Sequence, residues 1–288
     1  MRGPPAERDV DELLDFGVVN LDKPPGPSAH QVSGWVRDLA GVEQAAHAGT
    51  LDPKVTGCLP TLLGDATRLA QVFLEGTKEY VAVLELHGPA PADLDRVVSE
   101  FEGELYQKPP RKSAVSRRLR TRTIYGLDVL EVKDRKVLLR IDCESGTYIR
   151  KLCHDIGLAL GTGGHMGHLR RTRTDPFDDS NLVNLHTFTD ALAFAEEGDE
   201  ALLREVVAPA ERSLAHLPRV TIAPSAAEQV AHGAQVYAPG VINADEGIDR
   251  DALVACYTPD DAVVCLGRLV GDADAERGEV VRLERVLV

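Results

Sequence analysis

From Leu217 onward the chain changes texture, and that change limits the folds open to it. Residues 218–288 are dense in Val and carry the short strand-like runs LVACYTP, AVVCLGRLVG and VVRLERVLV, separated by Gly/Asp turns, with one helical stretch, SAAEQVAHG. Short apolar runs broken by turn formers read as a small β-barrel carrying one helix. The residues before it alternate strand-like and helix-like segments, so a chain of 288 residues is expected to divide into more than one unit. The expected boundaries are an N-terminal extension at 1–15, a main domain at 16–217 and the barrel at 218–288.

Within 16–217, FGVVNLDKP, EYVAVLELHG and KVLLRIDCESG read as strands. SAHQVSGWVRDLAG reads as a helix with Val32, Val36 and Leu39 on one face and a glycine stop. APADLDRVVSEFEGEL is expected to be a second helix, with Leu94, Val97, Val98 and Phe101 on its apolar stripe. YIRKLCHDIGLALG is a third, with Ile149, Leu152, Cys153, Ile156 and Leu160 aligned. An Ala/Glu-rich helical stretch is expected from Leu182 to about Leu217. The hairpin-like order, in place of a regular βαβ series, predicts an α+β fold with a mixed, mainly antiparallel sheet and flanking helices.

Composition narrows the function. The 43% apolar content is that of a globular protein, no apolar run approaches the roughly 18 residues of a bilayer span, and MRGPPAERD has no signal-peptide core, which predicts a cytosolic protein. Five cysteines without a C-x-x-C pair predict buried thiols, and neither Cys153 beside His154 nor the His165/His168 pair has the clustering of a metal site. A net charge of −14 argues against nucleic acid as a partner, yet its scatter, with Asp above Glu and Arg three to one over Lys, fits an acidic coat for concentrated salt. Against that coat a local basic run stands out. KPPRKSAVSRRLRTR, residues 108–122, holds seven basic residues and no acid and is expected to bind phosphate. LRRTRT at 169–174, after the Gly-rich GTGGHMGH, is a second basic patch whose glycine spacing is not that of a P-loop.

Four stretches couple Gly or Pro with a polar or aromatic side chain: LDKPPGPSAH (21–30), HAGTLDP (47–53), GTKEY (76–80) and SGTYIRKL (145–152). Asp52 in HAGTLDP has the plain reading of a surface turn. As a lone carboxylate in a rigid loop it can also serve as nucleophile or base when a cation holds it ionised and oriented. Arg150, in the first turn of a helix, can be that cation, against the reading of a surface arginine. Tyr80 can stack on an aromatic ligand or be a core tyrosine.

NLDKPPGPSAHQV, HAGTLDPKVTGCLP, GTKEYVA, KPPRKSAVSRRLRTRTIY, CESGTYIRKLCHDIG and LRRTRT stand in the order found in the TruB/dyskerin family of RNA pseudouridine synthases, which the chain resembles over residues 16–288. The PPRKSAVSRRLRTRTIY form is similar to the archaeal, guide-RNA-dependent branch, and the tail with HGAQVYAPGV resembles the family's PUA RNA-binding domain. The resemblance implies that Asp52 is catalytic, that Tyr80 stacks on the target uracil, that Arg150 pairs with Asp52, that Leu169 lines the pocket and that His47 helps hold the flipped nucleotide. Lys23 and Pro24 would buttress the catalytic loop. Arg111, Lys112, Arg117, Arg118, Arg120 and Arg122 fall in the family's thumb loop over the substrate strand, and Gly233, Ala234, Tyr237 and Gly240 where its PUA domain reads RNA. Implied partners are a guide H/ACA RNA, rRNA and tRNA substrates, a small Nop-type protein, a Gly/Arg-related accessory protein and a kink-turn-binding ribosomal-type protein.

The chemistry fits those residue types. Uridine isomerisation breaks the N1–C1′ bond, turns the base and rejoins it through C5, so no redox or group-transfer cofactor is expected. Asp52 can attack C1′ or remove a 2′ proton to give a glycal, and both routes remain open. Everting the base costs a few kcal/mol. Stacking on Tyr80 returns about 1–3 kcal/mol, so phosphate contacts are expected to tip the balance. Asp52 is expected to be a buried acid enclosed with Leu169 and kept negative by Arg150. The rival readings are a catalytically idle RNA-binding scaffold and a stand-alone synthase acting on the tRNA T-loop.

Overall fold

The computed structural model describes residues 1–74, 76–109 and 118–288; Arg111, Lys112 and Arg117 of the basic run lie outside the described residues. A short helix, α1 (Val10–Asp15), leads into β1 (Gly17–Lys23), the strand read from FGVVNLDKP. Ser28 then starts α2 (Ala29–Ala40) through a reciprocal cap, its side chain accepting from the Gln31 amide while Gln31 reaches back to the Ser28 backbone, and Gly41 ends it as expected. Val32 and Val36 are fully buried, whereas Leu39 is 41% exposed, which corrects its placement in the core. In that last turn Ala40 and Val42 take up the apolar contact instead.

The chain continues through β2 (Ala45–His47), β3 (Thr56–Leu63), a 3-10 segment over Gly64–Leu74, β4 (Lys78–Leu86) and α3 (Leu94–Ser99). The helix expected over APADLDRVVSEFEGEL is thus only six residues long. Gly103 takes φ +100°, a left-handed conformation a helix cannot use, and opens β5 (Gly103–Gln107), which pairs with β6 (Arg120–Lys133). There follow β7 (Lys136–Cys143), α4 (Ile149–Ala159), β8 (Gly164–Thr174) and β9 (Phe177–Asp178). The single helical stretch expected to about Leu217 is corrected to α5 (Leu185–Glu196) and α6 (Ala201–Val206), because Ala208 pairs with Val18 as β10 (Ala208–Pro209) and so leaves the helix early.

Among the described residues the first sheet has ten strands, in the order β10-β1-β3-β8-β4-β7-β6-β5, with β2 beside β3 and β9 beside β8. The β3–β8 pairing is parallel and its other strand pairs are antiparallel. The fold is α+β, as the sequence predicts. This order places β8 between β3 and β4, so the loop before β3 and the start of β4 meet over one strand.

The second sheet is barrel-like: β11 (Arg219–Ile222), α7 (Pro224–Ala231), β12 (Val236–Tyr237), β13 (Val241–Ala244), β14 (Leu253–Tyr257), β15 (Val263–Leu269) and β16 (Glu279–Val286), with strand order β12-β16-β15-β14-β11-β13. It shares a core with the first. Phe16, Val18, Leu62 and Phe73 form one apolar cluster with Leu253, Tyr257, Val263 and Leu287. The N-terminal residues strap the two together. Arg8 donates to Glu211 at 2.6 and 2.9 Å, and Glu211 in turn accepts from the Val263 amide at 3.3 Å. Among the described residues no helix is long and apolar enough to cross a membrane.

Candidate active site

The segment from Ala48 to Val55 joins β2 to β3 and has no strand partner over most of its length, so its backbone groups need other partners. Leu51 and Val55 anchor it in the cluster of Val32, Val36 and Leu59, leaving Asp52 between them facing outward. Lys23, fully buried at the end of β1, donates from Nζ to the carbonyls of Pro24 (3.0 Å), Pro53 (3.0 Å) and Val55 (2.8 Å). Burial lowers the Lys23 ammonium from its ordinary value. Where the loop enters β3, a Cβ on Gly57 would lie 2.2 Å from the Arg171 carbonyl oxygen, so only glycine lets β3 run this close to β8.

Arg150 arrives from the first turn of α4 and forms an ion pair with Asp52. The start of α4 is fixed by the buried Gln107 at the end of β5, whose side chain accepts from the Tyr148 amide at 2.8 Å and donates to the Tyr148 carbonyl at 3.3 Å. Ile149 anchors the turn in the other apolar cluster, with Ala82, Ile141 and Ile156. The side chains of Asp52 and Arg150 are 53% and 48% exposed. The expectation of a buried, enclosed acid is therefore corrected: the loop holds Asp52 at a mouth, and enclosure has to come from what binds there.

Tyr80 on β4 and Leu169 on β8 pack against both clusters, the one that anchors Leu51 and Val55 and the one that anchors Ile149. They thus lie where the apolar cluster that anchors the Asp52 loop adjoins the one that anchors the first turn of α4. Tyr80 is only partly buried, and burial raises its phenol while the facing Arg171 guanidinium pulls the other way. His47, at the end of β2, has a buried Nδ1 without a hydrogen-bond partner. Burial, then the charge of Arg171 and His30, lowers the imidazole below its ordinary value, which favours the uncharged ring. In GTKEY, Lys78 is buried under the carbonyls of Phe73, Gly76 and Thr77, at 2.9, 3.1 and 3.3 Å, and has a structural place.

The remaining candidates are distributed differently. Arg118 is exposed and Arg120 half-buried, but Arg122 is paired to Glu144 at 3.0 Å and packs on Gly146, which corrects its placement among open phosphate contacts. In the barrel Gly233 follows the end of α7, its amide donating to the Val230 carbonyl at 2.8 Å. A Cβ on Gly240 would meet Ala226 of α7 at 2.7 Å, so packing accounts for that glycine. Ala234 is half-buried, and Tyr237 is 51% exposed, a ring open to a ligand. All five cysteines are buried, and burial pushes the Cys153 thiol up to about 12. His165 faces His87, ring nitrogens 3.1 Å apart, and among the described residues no group of three or more His, Cys, Asp or Glu is arranged to hold a metal.

Arg171 was not singled out in the sequence. It is the largest of the fully buried side chains and lies opposite Tyr80 in the β4–β8 register. Reading LRRTRT as a strand gives the signal, because a period of two puts residue 171 on the same face as Leu169.

Comparison with known proteins bears on the whole chain. The model for the TruB family pseudouridylate synthase N-terminal domain matches residues 37–92 and 87–149, that for the tRNA pseudouridylate synthase B C-terminal domain residues 150–215, the PUA domain residues 218–287 and the DKCLD domain residues 3–33. Proteins named probable tRNA pseudouridine synthase B are 65% identical in Haloarcula marismortui, over 100% of this chain and 94% of the relative, and 65% identical in Halobacterium salinarum, over 100% and 99%. Both sources are halophilic archaea, as the acidic composition leads one to expect. Among solved structures, the chain in a Cbf5–Nop10–Gar1 complex superposes with a TM-score of 0.94 at 46% identity, covering 100% of this chain and 89% of that one. That of an H/ACA RNP bound to a substrate RNA containing 2′-deoxyuridine superposes at 0.92 and 44% identity, covering 99% and 89%.

Proposed function

The chain belongs to the TruB family of pseudouridylate synthases, and from that premise we propose that Asp52 is the carboxylate with which it isomerises uridine to pseudouridine in RNA. The observation that carries this reading is the Asp52–Arg150 pair, whose two supporting apolar clusters share Tyr80 and Leu169. A uracil stacked on Tyr80 and seated on Leu169 brings its ribose over Asp52. The carboxylate then attacks C1′ as N1 departs in the uracil anion, or takes a 2′ proton to give a glycal; the freed base turns, C5 bonds to C1′ as the ester to Asp52 breaks or as the 2′ proton is returned, and the C5 proton is released to solvent while N1 takes one up. Arg150 keeps the carboxylate negative and aimed once RNA covers it. His47, at the end of β2 just before the loop, helps hold the everted nucleotide. Lys23 and the Pro24 carbonyl it binds hold the loop without entering the reaction.

On this reading residues 16–217 form the catalytic domain and 218–288 an RNA-binding domain, with 1–15 as the strap between them. Arg118 and Arg120 contact the substrate strand and Tyr237 the guide. The superposition on Cbf5 supports action as the catalytic subunit of a guide-RNA-directed particle with Nop10-type and Gar1-type proteins; a kink-turn-binding protein, rRNA and tRNA targets and a cytoplasmic location complete the proposal. The names of the relatives favour tRNA as a substrate, and action on it without a guide is the second reading.

Tritium release from RNA carrying C5-labelled uridine tests both. The native chain and Asp52→Asn are compared with and without guide RNA and partner proteins. Release by the native chain and none by the variant is expected, and unchanged release by the variant overturns the assignment of Asp52. Release from tRNA without guide establishes the stand-alone activity; release only with guide removes it.

A further inference from the structure

We propose that Arg171 is a positioning residue of the active site: its buried guanidinium ties the loop that carries Asp52 to β3 and to Tyr80 of β4, so that carboxylate and stacking ring keep one relative placement. The inference rests on the reading of Asp52 as the reacting group and adds to it how that group is held.

Arg171 is 1% exposed. Its Nε donates to the Cys58 carbonyl at 2.7 Å, and Nη2 donates to the carbonyls of Ala48 at 3.1 Å and Gly49 at 3.4 Å. A Cβ on Gly49 would stand 3.3 Å from Nη1, so the loop backbone lies directly against the guanidinium. Tyr80 is its neighbour across the β4–β8 ladder, and the hydroxyl faces the same group. Among the described residues no carboxylate pairs with it. A buried cation with no carboxylate partner carries a desolvation cost, and apolar side chains of similar volume often fill such places with no loss of stability. Stability alone is therefore a poor account of an arginine here.

Geometry gives a better one. The loop from Ala48 to Val55 is irregular, and two buried cations bind its carbonyls on either side of Asp52: Arg171 at positions 48 and 49, Lys23 at 53 and 55. Apolar packing limits how deep a loop sits. A planar guanidinium also sets the direction of each carbonyl it binds. Because the same group touches β3 and faces Tyr80, the loop is referenced to the strands that position the base.

The test is Arg171→Lys, which keeps a cation but loses the fork, with Arg171→Met beside it. Both are compared with the native chain in the full particle for kcat, for RNA affinity by filter binding and for cooperative unfolding. A displacement of about 1 Å at a reacting centre can cost about 100-fold in rate, so kcat is expected to fall about 100-fold in Arg171→Lys while RNA affinity stays within about threefold. Activity within threefold of native, or a loss that appears wholly as weaker RNA binding, overturns the proposal. So does failure of both variants to fold, which would assign the arginine to the scaffold. Asp52→Asn is run alongside: if it remains active the reading of Asp52 fails, whereas an inactive Asp52→Asn with an active Arg171→Lys removes only the role of Arg171.

Discussion

Replacing Arg150 by Met separates what its pair with Asp52 does for folding from what it does for catalysis. In the free protein the two side chains are about half exposed, so water and salt screen their attraction and the pair contributes on the order of 0.2–1 kcal/mol to folding. For a chain of this size that corresponds to a Tm shift of about 4 °C at most. RNA seated over the mouth displaces water from the pair. For unit charges about 4 Å apart, moving from water to an effective dielectric near 20 raises the attraction from about 1 to about 4 kcal/mol. The difference, about 3 kcal/mol, is missing when a carboxylate has to be covered without its cation, and corresponds to about 100-fold in kcat/KM. Arg150→Met should therefore lose about two orders of magnitude in tritium release while melting within a few degrees of the native chain. A fall in Tm of about 10 °C would mean that the pair is structural in the free protein. A kcat/KM within threefold of native would mean that Asp52 needs no cation, and the reasoning fails either way.

Two further outcomes follow from buried charge. Glu211→Gln leaves the Arg8 guanidinium, whose side chain is 2% exposed, without its carboxylate, and should cost about 3–5 kcal/mol in urea unfolding; a loss below about 1 kcal/mol would refute the strap that joins the sheets. Burial, followed by the charge of Arg171, lowers Lys78 from 10.5 to about 8. Between those values the unfolded lysine keeps a proton that the folded one has shed, so stability rises with pH across the window. The unfolding free energy of the native chain minus that of Lys78→Met should accordingly grow by up to about 3 kcal/mol from pH 7.5 to 10.5, and a flat difference would refute the burial argument.

What was legible in the sequence depended on whether local pattern and tertiary partner agree. Ser28, Val32, Val36 and Gly41 mark the start, buried face and end of α2, and all four signals are local. The alternation of β7 and the stripe of α4 were readable for the same reason. The helix expected through Leu217 fails where Ala208 finds a strand partner in Val18, a contact no window of sequence contains. At the site, Asp52 and Arg150 stood out because each lies in a distinctive turn, but the openness of their pair depends on how far Leu51 and Val55 pull the loop inward. Arg171 was hidden by its chemistry. In a run of arginines and threonines residue type alone does not distinguish the buried guanidinium from Arg170, which reaches Asp22 at 3.0 Å on the half-exposed face, and only the strand period separates the two.

The net charge of −14 and an RNA substrate are compatible because the cations are sorted by what they face. Several exposed arginines away from the site are paired with acids, as in Arg37 with Asp38, Arg140 with Asp128 and Arg204 with Glu200, and add little net field. Lys23, Lys78 and Arg171 are withdrawn into the fold, where their charge acts on backbone carbonyls and no phosphate can reach them. On the proposed reading RNA is held by stacking at Tyr80 and by short-range contacts such as those of Arg118 and Arg120, and stacking does not depend on a long-range field. In molar salt the screening length is about 3 Å, so repulsion from the acidic coat ends at contact distance while stacking, worth about 1–3 kcal/mol per base, is retained. On that reading the acidic surface takes little away from binding at high salt, because stacking and contact-range pairs do not require RNA to be attracted from a distance.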